Sequence, residues 1–379
     1  MSEVHLEVGY HQLNKWREEL CGDSIQIGRE GKRLVVVLSD GLGSGVKANI
    51  LSTLTSKIIV TMLSGGASLV EVVETISQTL PVCQERKLAY STFTVATVED
   101  NGQAEIVEFD NPPVVFIQQG RRQGFEFREY ELAGKKIRES KIKLSENDYL
   151  IMFTDGIVHA GAGGILNLGW QWQEVADYAE KLCASGSEAQ DVAKWLGAAA
   201  EQLYEGRPGD DATVVVLRGR ESRAVTLAVG PPLDPEEDAR FAQTLAAAPG
   251  KKVVCGGTTS KIIAREWGEE LEVDLREPGH LPPTGKLQGV DLVTEGVITL
   301  SQAKQLLESQ EPLDGFDGAS RLARILKKSD EINFLVGRAI NPAHQNPNFP
   351  LSLGLKSQLV RELAQQLKKM NKKVTVEYF

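Results

Sequence analysis

The sequence predicts an α+β protein of two domains: helix-covered layers of antiparallel sheet, then a smaller α/β domain with a mostly parallel, Rossmann-like sheet. Three observations predict it. At 379 residues the chain exceeds what one hydrophobic core usually serves. Up to about Leu217 it reads as short apolar runs divided by turn signals, with two helical blocks, whereas later strand and helix alternate. Between these textures lies the polar stretch Arg218-Gly219-Arg220-Glu221-Ser222-Arg223, which sets the domains at 1–218 and 224–379.

In the first domain, strands are expected over 33–39, 92–98, 103–109, 113–118, 149–154 and 213–217. Turn signals at Asp100-Asn101-Gly102 and Gln119-Gly120 suit antiparallel meanders. A helix is expected over 46–63, with Val46, Ile50, Leu54, Ile58 and Met62 as its buried face. A second helical block covers 172–203 and breaks near Ala184-Ser185-Gly186-Ser187. In the second domain, the strand at 252–255 leads through Gly256-Gly257-Thr258-Thr259-Ser260 into a helix from Lys261. The strand at 290–293 leads through Thr294-Glu295-Gly296 to a helix over 301–309. A strand at 332–336, a helix over 356–370 and a strand at 374–378 complete it.

Composition narrows the function classes. With 42 basic and 52 acidic residues the formal net charge is −10, which argues against nucleic acid as a partner. No run approaches the roughly 20 continuous apolar residues that cross a bilayer, and the amino terminus lacks the layout of a secretion signal. Cys21, Cys83, Cys183 and Cys255 are scattered without paired spacing, so they read as reduced thiols. A cytoplasmic protein with no membrane partner is expected.

The sharpest signal is a set of aspartates at strand ends. Asp40-Gly41 and Asp155-Gly156 each close an apolar run, Asp210-Asp211 precedes one, and Asp23 precedes another. Asp-Gly alone is a common turn dipeptide, so it is the ordered set that carries the information. A strand end holds a carboxylate rigidly, and the following glycine lets the backbone turn. Converging carboxylates repel one another unless a cation joins them, and hard oxygen donors suit Mg²⁺ or Mn²⁺ rather than zinc. The five histidines show no metal-site spacing.

The segments CGDSIQIG, VVVLSDGLGSG, FTDGI and GDDATVVVL, in that order, resemble the metal-dependent type 2C serine/threonine protein phosphatases. The SpoIIE-like bacterial branch is the fit, over the first domain, and YSTFTVATV followed by FDNPPVVF resembles that branch's central strands. The resemblance implies a double β-sheet sandwich flanked by helices, two Mn²⁺ or Mg²⁺ ions, and hydrolysis of phosphoserine or phosphothreonine by a hydroxide bridging them. It assigns Asp40 as the bridging carboxylate, Gly41 as a carbonyl ligand, and Asp155 and Asp210 as completing the first ion's shell. Asp23 acts directly or through water, and Asp211 stands behind. The sequence does not separate Asp210 from Asp211, with a lean to Asp210.

Two departures stand out. Leu42 occupies a position where some relatives carry histidine, and Arg17 is not at the spacing of the arginine that clamps phosphate in others. The Gly43-Ser44-Gly45 turn feeds the helix that, in the resembling branch, switches activity by moving the metal site; a plain connector is the alternative. The resemblance further implies a phosphorylated bacterial signalling protein as substrate, of the anti-sigma-factor-antagonist kind, and a homodimer is considered. The alternative is a non-catalytic phosphatase-like scaffold or a small-anion-sensing binding protein.

In the second domain, Gly256, Gly257, Thr258, Thr259, Ser260, Glu295 and His344 fall on loops expected at the carboxyl edge of the sheet, where open α/β sheets bind ligands. They form a candidate site for a small anionic ligand that regulates the first domain. The plainer reading is that Thr258 and Ser260 cap a helix, Glu295 is solvated and His344 lies in a turn.

Overall fold

In the computed structural model the chain divides into two compact units, Met1–Glu221 and Ser222–Phe379. The structure describes residues 4–30, 33–79, 91–132, 135–274, 284–309, 313–339, 352–370 and 372–379.

The first unit runs β1 (His5–Leu13), β2 (Asp23–Glu30), β3 (Arg33–Gly41), α1 (Gly45–Ser64), α2 (Leu69–Thr79), β4 (Ser91–Glu99) and β5 (Gln103–Phe109). It continues with β6 (Val115–Gln118), β7 (Arg121–Gln123), β8 (Phe127–Leu132), β9 (Lys135–Lys143) and β10 (Tyr149–Phe153). The single turn α3 (Asp155–Val158), then α4 (Trp172–Cys183), α5 (Ala189–Leu203) and β11 (Ala212–Arg220) complete it. Two antiparallel sheets result, in the orders β1-β11-β10-β6-β7 and β2-β3-β4-β5-β9-β8.

Their facing surfaces share one core, in which Leu34, Val36 and Leu38 of β3 meet Leu150, Met152, Val215 and Leu217. The outer face of the first sheet packs Val214 and Val216 against Val175, Ala179 and Leu196 of α4 and α5. The outer face of the second packs Val35 and Val37 against Ile59, Leu63 and Val72 of α1 and α2. Covered on both faces, β3 and β11 are apolar throughout 34–38 and 214–217, which is why they stand out as continuous runs.

Helix α1 corrects the sequence expectation. Val46, Ile50 and Leu54 are 61%, 58% and 43% exposed, while Ala48, Ser52, Thr55, Ser56, Ile59 and Leu63 are buried. A row at every fourth position drifts about 40° per step around a helix, so five such residues do not hold one face. The buried face is instead set by close approach to β2 and β3. A Cβ on Gly28 would come within 2.8 Å of Ser64 Oγ, and one on Gly41 would overlap the Ala48 carbonyl oxygen. Among the described residues α1 is long and apolar enough, by length and composition, to cross a membrane, yet here it covers a sheet.

The second unit runs β12 (Ala224–Val229), α6 (Asp238–Ala247), β13 (Lys251–Cys255), α7 (Gly257–Trp267), β14 (Glu272–Asp274), β15 (Thr284–Lys286) and β16 (Leu292–Thr294). Then follow α8 (Val297–Ser309), α9 (Gly318–Lys328), β17 (Glu331–Val336), α10 (Ser352–Lys369) and β18 (Lys373–Tyr378). The sheet order is β14-β15-β16-β13-β12-β17-β18, and its last five strands are parallel. Helices α6 and α7 pack on one face and α8, α9 and α10 on the other. The result is a doubly wound α/β sheet.

Candidate active site

Four segments bring acids to one end of the sandwich. Asp23 opens β2 and Asp40 nearly closes β3, and the two are direct register partners across the strand pair. Asp155 begins α3 immediately after β10, and Asp210-Asp211 lead into β11, the antiparallel neighbour of β10. The acids are thus anchored in both sheets.

Asp23 ties the sheets together. It is 2% exposed, and its Oδ2 accepts the Thr154 hydroxyl at 2.8 Å and the Thr213 hydroxyl at 2.6 Å. Thr154 Oγ1 in turn accepts the Thr213 N–H at 2.9 Å. The other oxygen, Oδ1, is buried with no hydrogen-bond partner. Asp211 repeats the pattern at 4% exposure. Its Oδ1 accepts the Lys15 N–H at 3.0 Å, while its Oδ2 is buried and unpartnered.

The backbone around these acids is tight. A Cβ on Gly22 would lie 2.6 Å from Asp211 Oδ2, and one on Gly156 would overlap the Asp211 carbonyl oxygen. Tyr204 donates its hydroxyl to the Gly156 carbonyl at 2.7 Å. Ser91 donates to the Asp40 carbonyl at 2.7 Å. Gly41 gives its N–H to the Gly22 carbonyl at 3.2 Å. Asn49 of α1 reaches the Cys21 carbonyl at 2.8 Å, and Ser44 donates to Glu18 at 3.1 Å, so the start of α1 is tied to the loop before Asp23.

These acids act on one another. Burial first, then Asp23, Asp155, Asp210 and Asp211, push Asp40 up to about 9. Burial first, with Asp211 and Asp155 adding to it against the Thr213 and Thr154 hydroxyls, pushes Asp23 up to about 7. Asp210 is raised by burial and by Asp155, and Lys15 offsets part of that rise from 3.7 Å away. Among the described residues no group of three or more His, Cys, Asp or Glu side chains is placed as holding a metal ion would require. Asp23, Asp40, Asp155, Asp210 and Asp211 nonetheless share one field, and two buried carboxylate oxygens lack any protein donor. That donor-poor, oxygen-only set fits a hard divalent cation.

Sequence reasoning did not single out Lys15, Thr154, Thr213 or Glu18. The two threonines adjoin the acidic motifs, as FTDG and DDATV, and a polar residue in an apolar strand end is the signal that would have found them. Of the second-domain candidates, His344 lies outside the described residues.

A helix-flanked double sandwich with aspartates gathered at the ends of its central strands defines the type 2C phosphatase class. The family model for Stage II sporulation protein E (SpoIIE) matches residues 30–220, and the chain belongs to that family. Asp40, Asp155, Asp210 and Asp211 fall inside the match; Asp23 and the second unit lie outside it. No curated protein matches the chain.

Among solved structures, it is similar to the PP2C phosphatase domain with a fragment of the regulatory domain of SpoIIE from Bacillus subtilis. That match has 19% identity and a TM-score of 0.49, covering 58% of this chain and 63% of that one, so less than two thirds of its length is spanned. A second is the RsbU and RsbW domains of a Mycobacterium tuberculosis protein, at 18% identity and TM-score 0.47, covering 64% and 68%. A third is RsbX in complex with magnesium, at 17% identity and TM-score 0.42, covering 58% and 100%.

Proposed function

We propose that the first unit hydrolyses phosphoserine and phosphothreonine in a bacterial signalling protein, of the anti-sigma-factor-antagonist kind, and that the second unit regulates it. The observation that carries this reading is the convergence of five carboxylates from four chain segments, two of them holding a buried oxygen free of any protein donor. Structure alone gives no reason to gather repelling acids, which cost stability unless something offsets their charge.

Asp40, Asp23, Asp155, Asp210 and Asp211 would hold two Mg²⁺ or Mn²⁺ ions, with the Gly41 carbonyl joining them. When bound, such ions supply Lewis acidity, activating water near neutral pH and neutralising phosphoryl charge. The chain's own residues do the positioning. Thr154 and Thr213 occupy one oxygen of Asp23 and leave the other buried without a protein donor. The Lys15 amide does the same for Asp211. The Lys15 ammonium favours the charged form of Asp210. Tyr204 pins the Asp155-Gly156 turn through the Gly156 carbonyl.

The test is release of phosphate from a phosphoserine peptide by the full chain, with Mn²⁺ and with chelator, in wild type and Asp155→Asn. Hydrolysis that needs Mn²⁺ and fails in the variant supports the reading. Hydrolysis indifferent to both, or no hydrolysis of phosphoserine or phosphothreonine peptides, overturns it in favour of a scaffold.

A further inference from the structure

In the second unit the carboxyl ends of β13 and β16 lie side by side. These strands are parallel neighbours, with Cys255 opposite Thr294. Their chains nevertheless leave toward opposite faces of the sheet, β13 into α7 and β16 into α8. Where neighbouring parallel strands diverge in this way a crevice opens at the carboxyl edge.

Both helices start in it. Gly256 donates its N–H to the Thr294 carbonyl at 2.9 Å, and a Cβ on Gly296 would lie 3.7 Å from Gly256 Cα. At φ +117°, Gly256 has a backbone conformation that side chains rarely adopt. It leads directly into an eleven-residue helix with no side-chain cap and no acid in its first turn. The opening amides of α7 therefore face the crevice as donors with a positive helix end behind them.

Two further atoms point to a ligand rather than to plain capping. Thr259 is 1% exposed, yet its hydroxyl has no partner and stands 3.2 Å from the point a Gly256 Cβ would take. Oε2 of Glu295 is also buried and unpartnered. Ser260, by contrast, is satisfied by the Gly256 carbonyl at 2.9 Å, so its hydroxyl closes the turn.

A bare anion would answer the amides and Thr259 but would meet the Glu295 carboxylate unfavourably. A cation would answer Glu295 but would meet two helix amino termini. We propose that the crevice binds a phosphorylated small molecule that also carries hydroxyl groups, of the nucleoside-phosphate or sugar-phosphate class. Its phosphate accepts from the amides of Gly257, Thr258 and Thr259 and from the Thr259 hydroxyl. One of its hydroxyls donates to Glu295.

The experiment is calorimetric titration of the full-length chain with AMP, ribose 5-phosphate, adenosine and inorganic phosphate, in wild type, Thr259→Val, Thr259→Ser and Glu295→Gln. Thr259→Val should weaken AMP or ribose 5-phosphate binding by about 3- to 10-fold, and Thr259→Ser should restore it. Glu295→Gln should weaken those two by about 10-fold while leaving inorganic phosphate unchanged or tighter, because it removes a repelling charge as well as a hydroxyl acceptor. The proposal is overturned if neither phosphorylated probe binds at millimolar concentration, if adenosine binds as well as AMP, or if Glu295→Gln shifts ribose 5-phosphate and inorganic phosphate alike. Thermal melting of each variant separates loss of binding from loss of fold.

Discussion

Stripped of divalent cations, the chain should lose stability as pH rises across the neutral range. Asp23 and Asp40 hold their protons to about 7 and about 9 in the folded chain, whereas an unfolded aspartate titrates near 4. A raised folded-state pKa means that the folded chain binds more protons than the unfolded one. The contribution is fully present below about pH 4 and is lost as pH rises through the folded values. One extra bound proton corresponds to about 1.4 kcal/mol per pH unit. Counting one proton for the two acids together, because they share a field, the loss from about pH 5 to about pH 7 is about 3 kcal/mol. For a domain of this size that is a fall in Tm of about 6–12 °C.

The assay is differential scanning calorimetry in chelator at a series of pH values, repeated with Mn²⁺. Cations should raise Tm more at the upper end of the series than at the lower, since there they replace a missing proton. A Tm that stays level or climbs with pH in chelator would refute the reasoning, because it would mean that these carboxylates ionise in the fold without penalty.

Three other outcomes follow from the same geometry. Asp40→Asn should stabilise the cation-free chain near neutral pH by about 1–3 kcal/mol while cutting phosphopeptide turnover by about 100-fold or more, checked by melting and by phosphate release. Thr154→Val combined with Thr213→Val strips Asp23 of both hydroxyl donors and should cost about 2–4 kcal/mol at neutral pH. The cost should shrink in acid, where Asp23 is protonated, as denaturant titration at two pH values would show. Ile50→Lys on the open face of α1 should change stability by less than about 0.5 kcal/mol, whereas Ile59→Ala on its buried face should cost about 2–5 kcal/mol.

The strands that were legible in the sequence are those covered on both faces. Val35 and Val37 meet helices while Leu34, Val36 and Leu38 meet the other sheet, so β3 could not be mistaken. Strands β8 and β9, FREYEL and KKIRESKIK, pass as surface segments because only scattered positions face the core. Within β9, Ile137 is fully buried between an exposed Lys136 and a half-buried Arg138, a pattern too sparse to announce itself. Hydrophobicity does not locate the buried face of α1, because the sheet selects by size at Gly28 and Gly41.

The acids stand out in the sequence only as an ordered set at the ends of apolar runs, and the structure brings Asp23, Asp40, Asp155, Asp210 and Asp211 into one field. What holds them does not stand out. Lys15 reaches Asp211 through its backbone, a contact that no side-chain pattern records. Thr154 and Thr213 act across the gap between two sheets, at a separation of 131 and 190 residues from Asp23.

The most direct measurement is Mn²⁺ titration of the full-length chain with phosphate release followed in the same sample. Two bound ions per chain, with hydrolysis growing as they load and both lost in Asp40→Asn, is the predicted result. Phosphate release that persists in chelator, or Mn²⁺ uptake unchanged by Asp40→Asn, would contradict it.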